Sequence, residues 1–126
     1  MTKPIAKHRA LGVLVGKWIT QGTIRATDDA APSEMRAIDR YEWLPGGFFM
    51  LHKVDALIGG TVSQSIEVIG YDVKQACYVT RSYDDQGKSD GFTARLNGRA
   101  WLVDGEKVRF RGAFDVGGSV LAGTWE

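Results

Sequence analysis

Turn signals break this 126-residue chain into pieces too short for ordinary helices. Clusters of Gly, Asn, Asp and Pro fall at 28–33, Pro45-Gly46-Gly47, Gly59-Gly60, 72–75, 84–87, Asn97-Gly98, Asp104-Gly105 and Gly117-Gly118. Short apolar and alternating runs lie between them, the pattern of many short strands joined by tight turns. The 16 glycines are spread along the chain, so they act as punctuation and not as a linker. One stretch reads as helix. Residues 7–15 place Leu11, Leu14 and Val15 on one side, and Gly16 stops the run.

The turns also predict which residues face each other. Asn-Gly and Asp-Gly favour two-residue type I′ hairpins, which set the register and so the face. Asn97-Gly98 taken this way needs a positive φ at Asn97, and sets Ala94 opposite Trp101 and Phe92 opposite Val103. Asp104-Gly105 sets Trp101 opposite Val108 and Val103 opposite Glu106. Gly117-Gly118 sets Phe114 opposite Leu121, Gly112 opposite Gly123 and Phe110 opposite Trp125. The three turns agree on one apolar face: Phe92, Ala94, Trp101, Val103, Val108, Phe110, Phe114, Leu121 and Trp125. Thr93, Arg95, Lys107, Arg109, Arg111 and Asp115 fall on the other.

The Pro45-Gly46-Gly47 turn sets Trp43 opposite Phe48, Tyr41 opposite Met50 and Asp39 opposite His52. Trp18, Thr20, Gly22 and Ile24 share a face in the first strand. Ile66, Val68 and Gly70 alternate with Ser65 and Glu67, and Cys77, Val79, Arg81 and Tyr83 alternate with Tyr78, Thr80 and Ser82. Turn counting gives about nine strands. An antiparallel set of that size removes its edges by closing into an up-and-down barrel, with a sandwich as the competing solution. The expected organisation is one domain over 1–126, a short helix over 7–15 and the barrel over 16–126.

Composition narrows the function classes. Sixteen basic and 15 acidic residues leave a net charge of +1, spread along the chain. A nucleic-acid or membrane-surface binder would carry a basic patch, so neither partner is expected. Cys77 is the one cysteine and His8 and His52 the two histidines, which makes a zinc site an unsupported reading. Cys77 itself reads as a small core residue. Residues 1–10 are charged and lack the apolar core of a secretory leader, and the apolar stretches are too short to span a bilayer, so a cytoplasmic protein is expected.

The polar group that stands out is Asp39 opposite His52, with Tyr41 one step along the same face. Arg81 and Tyr83 can join them from a later strand. A carboxylate beside an imidazole orients it and raises its pKa, as a general base or a polar ligand contact requires. The plain alternative is a pair that only stabilises the hairpin. Trp18, Trp43, Trp101 and Phe110 would line a pocket or fill the core, since ligand pockets are mostly apolar. Arg109 and Arg111 fall outside by register and read as a solvated face.

Several segments together resemble a known family. They are Leu14-Val15-Gly16-Lys17-Trp18, Tyr41-Glu42-Trp43-Leu44-Pro45-Gly46-Gly47-Phe48-Phe49, Ile69-Gly70-Tyr71-Asp72, Ser82-Tyr83-Asp84-Asp85-Gln86-Gly87 and Gly123-Thr124-Trp125. In order and spacing the chain resembles the DUF1579 family of bacterial proteins of unknown function. The resemblance implies a lipocalin-like (calycin) β-barrel, with no reaction or ligand attached. It also makes haem ligation through His52 an option, although no cofactor is required by the sequence. Family members usually continue into a further hairpin, whereas this sequence stops at Glu126. A last strand left open would pair with a second copy, giving a homodimer. Three functions are therefore expected in competition: a barrel binding a small, mostly apolar ligand; an isomerase or hydrolase using the Asp39–His52 pair; and a ligand-free structural protein with a filled interior.

Overall fold

In the computed structural model the extended runs form nine strands among the described residues, which are 3–24, 26, 28, 31–106, 108–117 and 119–125. The strands are β1 (Gly16–Ile24), β2 (Ser33–Trp43), β3 (Met50–Ile58), β4 (Thr61–Asp72), β5 (Cys77–Asp84), β6 (Ser89–Asn97), β7 (Ala100–Asp104), β8 (Arg109–Phe114) and β9 (Val120–Trp125). Each pairs with the next, and β1 pairs with β9 to close a barrel. A meander reverses direction at every strand, so strand nine runs the same way as strand one. The closing pair is accordingly parallel, while the other eight are antiparallel. This is the expected all-β barrel, and each described strand is bonded on both sides, as closure requires. β9 is bonded to β8 and to β1, so it is not the open last strand expected to pair with a second copy. Glu126, Lys107 and Gly118 lie outside the described residues.

The expected helix over 7–15 is shorter and tighter. Helix α1 (Ala6–Ala10) passes into a 3₁₀ turn over Leu11–Leu14. Five residues cannot sustain a helix on backbone bonds alone, so packing must hold it. Leu11 and Leu14 are fully buried and plug one end of the barrel against Trp18, Met50, Ile69 and Tyr78. Val15, expected on the same face, is exposed. Two hydrogen bonds tie the plug to the wall: Trp18 Nε1–H donates to the Leu14 carbonyl at 2.6 Å, and the Tyr78 hydroxyl to the Lys7 carbonyl at 2.7 Å.

Registers follow the expected parity, with shifts at three turns. The β8–β9 pairing is as expected: Phe114 faces Leu121, Gly112 faces Gly123 and Phe110 faces Trp125. Between β6 and β7, Asn97 pairs with Ala100, so the two-residue loop is Gly98-Arg99. The positive φ (59°) sits on Gly98 and not on Asn97, as in a II′ hairpin with glycine first. Between β7 and β8 the loop is 105–108, closed by Gly105 N–H to the Val108 carbonyl at 2.8 Å. Val103 thereby meets Phe110 instead of charged Glu106, and Val108 is exposed. Between β2 and β3, Tyr41 faces His52 and Trp43 faces Met50, two positions from the expected register. A shift of two keeps every side chain on its face, so burial alone does not distinguish these registers.

The faces of β4 and β5 depart from simple hydrophobic alternation. Two-residue Gly59-Gly60, with φ of 54° and 85°, pairs Ile58 with Thr61 and hence His52 with Glu67. That register turns Ser63, Ser65 and Glu67 inward and leaves Val62 and Ile66 exposed. On β5 the inner residues are Tyr78, Thr80 and Ser82, while Arg81 and Tyr83 face outward.

The parallel seam depends on three glycines in one row. Gly22 pairs with Gly123, and Gly123 with Gly112. A Cβ on Gly123 would lie 2.3 Å from the Arg111 carbonyl oxygen and 2.6 Å from the Gly112 Cα, both backbone atoms that cannot move aside. Gly123→Ala is expected to destabilise the fold by about 1–3 kcal/mol, the usual cost of forcing extra volume into packed structure. Urea unfolding checks this; an unchanged midpoint would contradict the β1–β9 seam.

Candidate functional site

Inside the barrel, above the plugged end, lies a cavity of about 250 Å³. One wall is apolar, with Phe92, Trp101, Val103, Phe110, Leu121 and Trp125. The other carries the polar groups Thr20, Asp39, Tyr41, His52, Ser63, Ser65, Glu67 and Ser82, interspersed on β2 and β3 with Met35, Ala37, Val54, Ala56 and Ile58. A larger groove of about 890 Å³ runs beside the β1–β9 seam past Gln21, Arg36 and Ala122, and none of its polar residues is buried.

Five consecutive strands, β1 to β5, build the polar wall. Asp39 and His52 meet as expected, but diagonally, since Tyr41 is the residue directly opposite His52. Asp39 Oδ1 lies 2.5 Å from His52 Nε2, and its other oxygen accepts from the Thr20 hydroxyl. Glu67 Oε1 lies 2.9 Å from His52 Nδ1. The Tyr41 ring stacks on the imidazole, centroids 4.0 Å apart and planes 10° apart. All of this is shielded: the His52 and Asp39 side chains are 11% and 6% exposed.

The electrostatics follow. Burial disfavours a charged His52, but hydrogen bonds to Asp39 and Glu67 outweigh it, and the pKa rises to about 9. With a carboxylate at each nitrogen, both ring nitrogens act as donors, which is the imidazolium. The stacked Tyr41 ring adds a cation–π contact. Burial first, and then the negative charges of Asp39 and Glu67, hold the Tyr41 phenol well above its usual pKa, so it stays protonated.

This arrangement limits the chemistry. A ring already protonated and held at both nitrogens is not a general base at neutral pH. It has no lone pair to offer iron, so the residues here do not fit haem ligation through His52. Asp39 and Glu67 sit on opposite nitrogens of one ring, and among the described residues no group of three or more His, Cys, Asp or Glu is placed to hold a metal. What remains is a fixed charged cluster beside a small cavity.

The other sequence-predicted residues divide cleanly. Trp101 and Phe110 line the cavity with Asp39, Tyr41 and His52. Trp18 belongs to the plug, packed on Phe114 at 4.4 Å. Trp43 is half-buried and packs against the core away from the cavity. Arg81 and Tyr83 cannot reach His52, because β5 turns them outward. Arg109 is exposed and Arg111 pairs with Asp104 at 2.9 Å, outside as expected. Cys77 is buried. Sequence reasoning missed Glu67, although a two-residue reading of Gly59-Gly60 would have placed it opposite His52.

The sequence profile of the family described as "Protein of unknown function (DUF1579)" matches residues 3–112. No curated protein matches the chain. No helix among the described residues is long and apolar enough to cross a membrane.

The raised pKa has a stability consequence. A histidine at about 9 when folded and 6.5 when unfolded favours the folded state below pH 6.5, and that contribution is lost as pH rises through 9. The contribution is on the order of 3 kcal/mol. In urea unfolding at pH 6 and pH 10, the native chain is expected to lose about that much more stability than His52→Gln. Parallel losses in both would mean a neutral His52.

Proposed function

The chain belongs to the DUF1579 family, and we propose that it is a binding protein for a small ligand with an apolar body and a polar head. The observation that carries this reading is the two-sided cavity: an aromatic wall facing a buried polar cluster. Small-molecule sites are typically apolar with a few placed polar groups, and perturbed ionisable residues gather at functional sites. In this reading Trp101 and Phe110 contact the body, while Asp39, Tyr41 and His52 orient the head, joined by Glu67.

An isomerase or hydrolase using Asp39–His52 is the weaker reading, because His52 is protonated at neutral pH. A filled structural barrel is also weaker, because bulky residues do not occupy the space beside His52. A single buried thiol suits a reducing compartment, and the cytoplasm is the proposed site of action.

Native mass spectrometry of the purified protein, with an absorption spectrum of the same sample, tests the reading. A co-purifying small molecule is expected, with no haem band. Ala56 faces the cavity, so Ala56→Phe is expected to fill it and abolish retention while circular dichroism stays unchanged. Equal retention by both proteins would place the ligand elsewhere.

A further inference from the structure

The charges that line the cavity are unbalanced. Among the described residues, its ionisable lining consists of Asp39, His52, Glu67 and Tyr41, and no Lys or Arg faces it. One imidazolium between two carboxylates leaves an excess negative charge. The phenol of Tyr41 adds none, since it stays protonated. In a low-dielectric interior such an excess acts strongly on a neighbouring charge. An entering carboxylate would meet repulsion, and the one cation in the lining, His52, has both ring nitrogens already engaged by Asp39 and Glu67. An entering ammonium would meet attraction, and its N–H groups would find acceptors.

Those acceptors are identifiable. His52 occupies one oxygen each of Asp39 and Glu67, and Thr20 occupies the second oxygen of Asp39. The second Glu67 oxygen has no protein donor among the described residues, and the Ser63 and Ser65 side chains line the same wall. A second observation points the same way. Tyr41 also lines the cavity, and its hydroxyl makes no hydrogen bond to the described residues. That hydroxyl opens onto the cavity, where it can both donate to and accept from a head group. The opposite wall offers the π faces that favour an organic cation.

We propose that the cavity takes a small organic amine in its ammonium form, with Glu67 as the principal contact of the head group and the aromatic wall holding the hydrocarbon body. This rests on the binding-protein reading and names its ligand class. It also excludes fatty acids and other carboxylates, which the aromatic wall alone would accept.

Three probes with one phenyl-alkyl skeleton separate the possibilities: 2-phenylethylamine, 2-phenylethanol and 3-phenylpropanoate. Each is titrated into the purified chain at pH 7 and low salt, followed by amide NMR shifts and calorimetry, with Ala56→Phe as the blocked-cavity control. The amine is expected to bind at least tenfold tighter than the carboxylate, with the alcohol between them, and Ala56→Phe to abolish all three. In Glu67→Gln the amine-to-carboxylate ratio is expected to fall toward one. A carboxylate that binds as tightly as the amine, in a manner blocked by Ala56→Phe, would overturn the amine assignment and leave the binding cavity standing. An unchanged ratio in Glu67→Gln would overturn the role of Glu67. No binding of any probe at millimolar concentration would overturn both readings.

Discussion

The polar half of this barrel depends on one buried imidazole held at both ends. Thr20, Asp39, His52 and Glu67 come from β1, β2, β3 and β4, and a continuous chain of hydrogen bonds crosses the four strands. Each link needs the others. Without Glu67, one ring nitrogen would be a buried donor with no acceptor; without His52, two buried carboxylates would face each other's field. Removing one partner of such a cluster is strongly destabilising, whereas replacing the whole cluster by apolar side chains is often neutral or better. The cluster is therefore poorly explained as a stabilising device. Its place beside a cavity gives it a different use.

The same cluster accounts for the odd face of β4. Hydrophobic alternation would turn Ile66 inward, yet it is 42% exposed and Val62 68%. Turning that strand over would bury Ile66 but expose Glu67 and leave His52 with a single carboxylate. The hairpin at Gly59-Gly60 and the His52–Glu67 bond agree on the observed face, and two local constraints outweigh the burial of one side chain.

Much of the architecture was legible in the sequence because turn chemistry fixes parity. Gly117-Gly118 gave the β8–β9 register directly, and the interior places of Trp101, Phe110, Phe114 and Leu121 followed. Registers at Asn97-Gly98 and Pro45-Gly46-Gly47 were two residues off, since loops of different length preserve the faces. The site was legible in half. Asp39, Tyr41 and His52 share one hairpin, so local reasoning joins them. Thr20 lies on β1, eight residues of chain from β2, and the segment 25–32 holds no Asn-Gly, Asp-Gly or Gly-Gly pair from which a register could be read. Arg81 and Tyr83 were misplaced because the apolar Val79 beside them suggested an inward face, while Tyr78, Thr80 and Ser82 occupy it.

The charge of the cavity turns on the protonation state of His52, and nitrogen-15 NMR of its ring reports that state directly. At pH 7.5 both ring nitrogens are expected to show imidazolium shifts, with assignments made against His52→Gln. A neutral tautomer at that pH, with one bare nitrogen, would contradict the doubly held cation and the excess negative charge of the cavity with it.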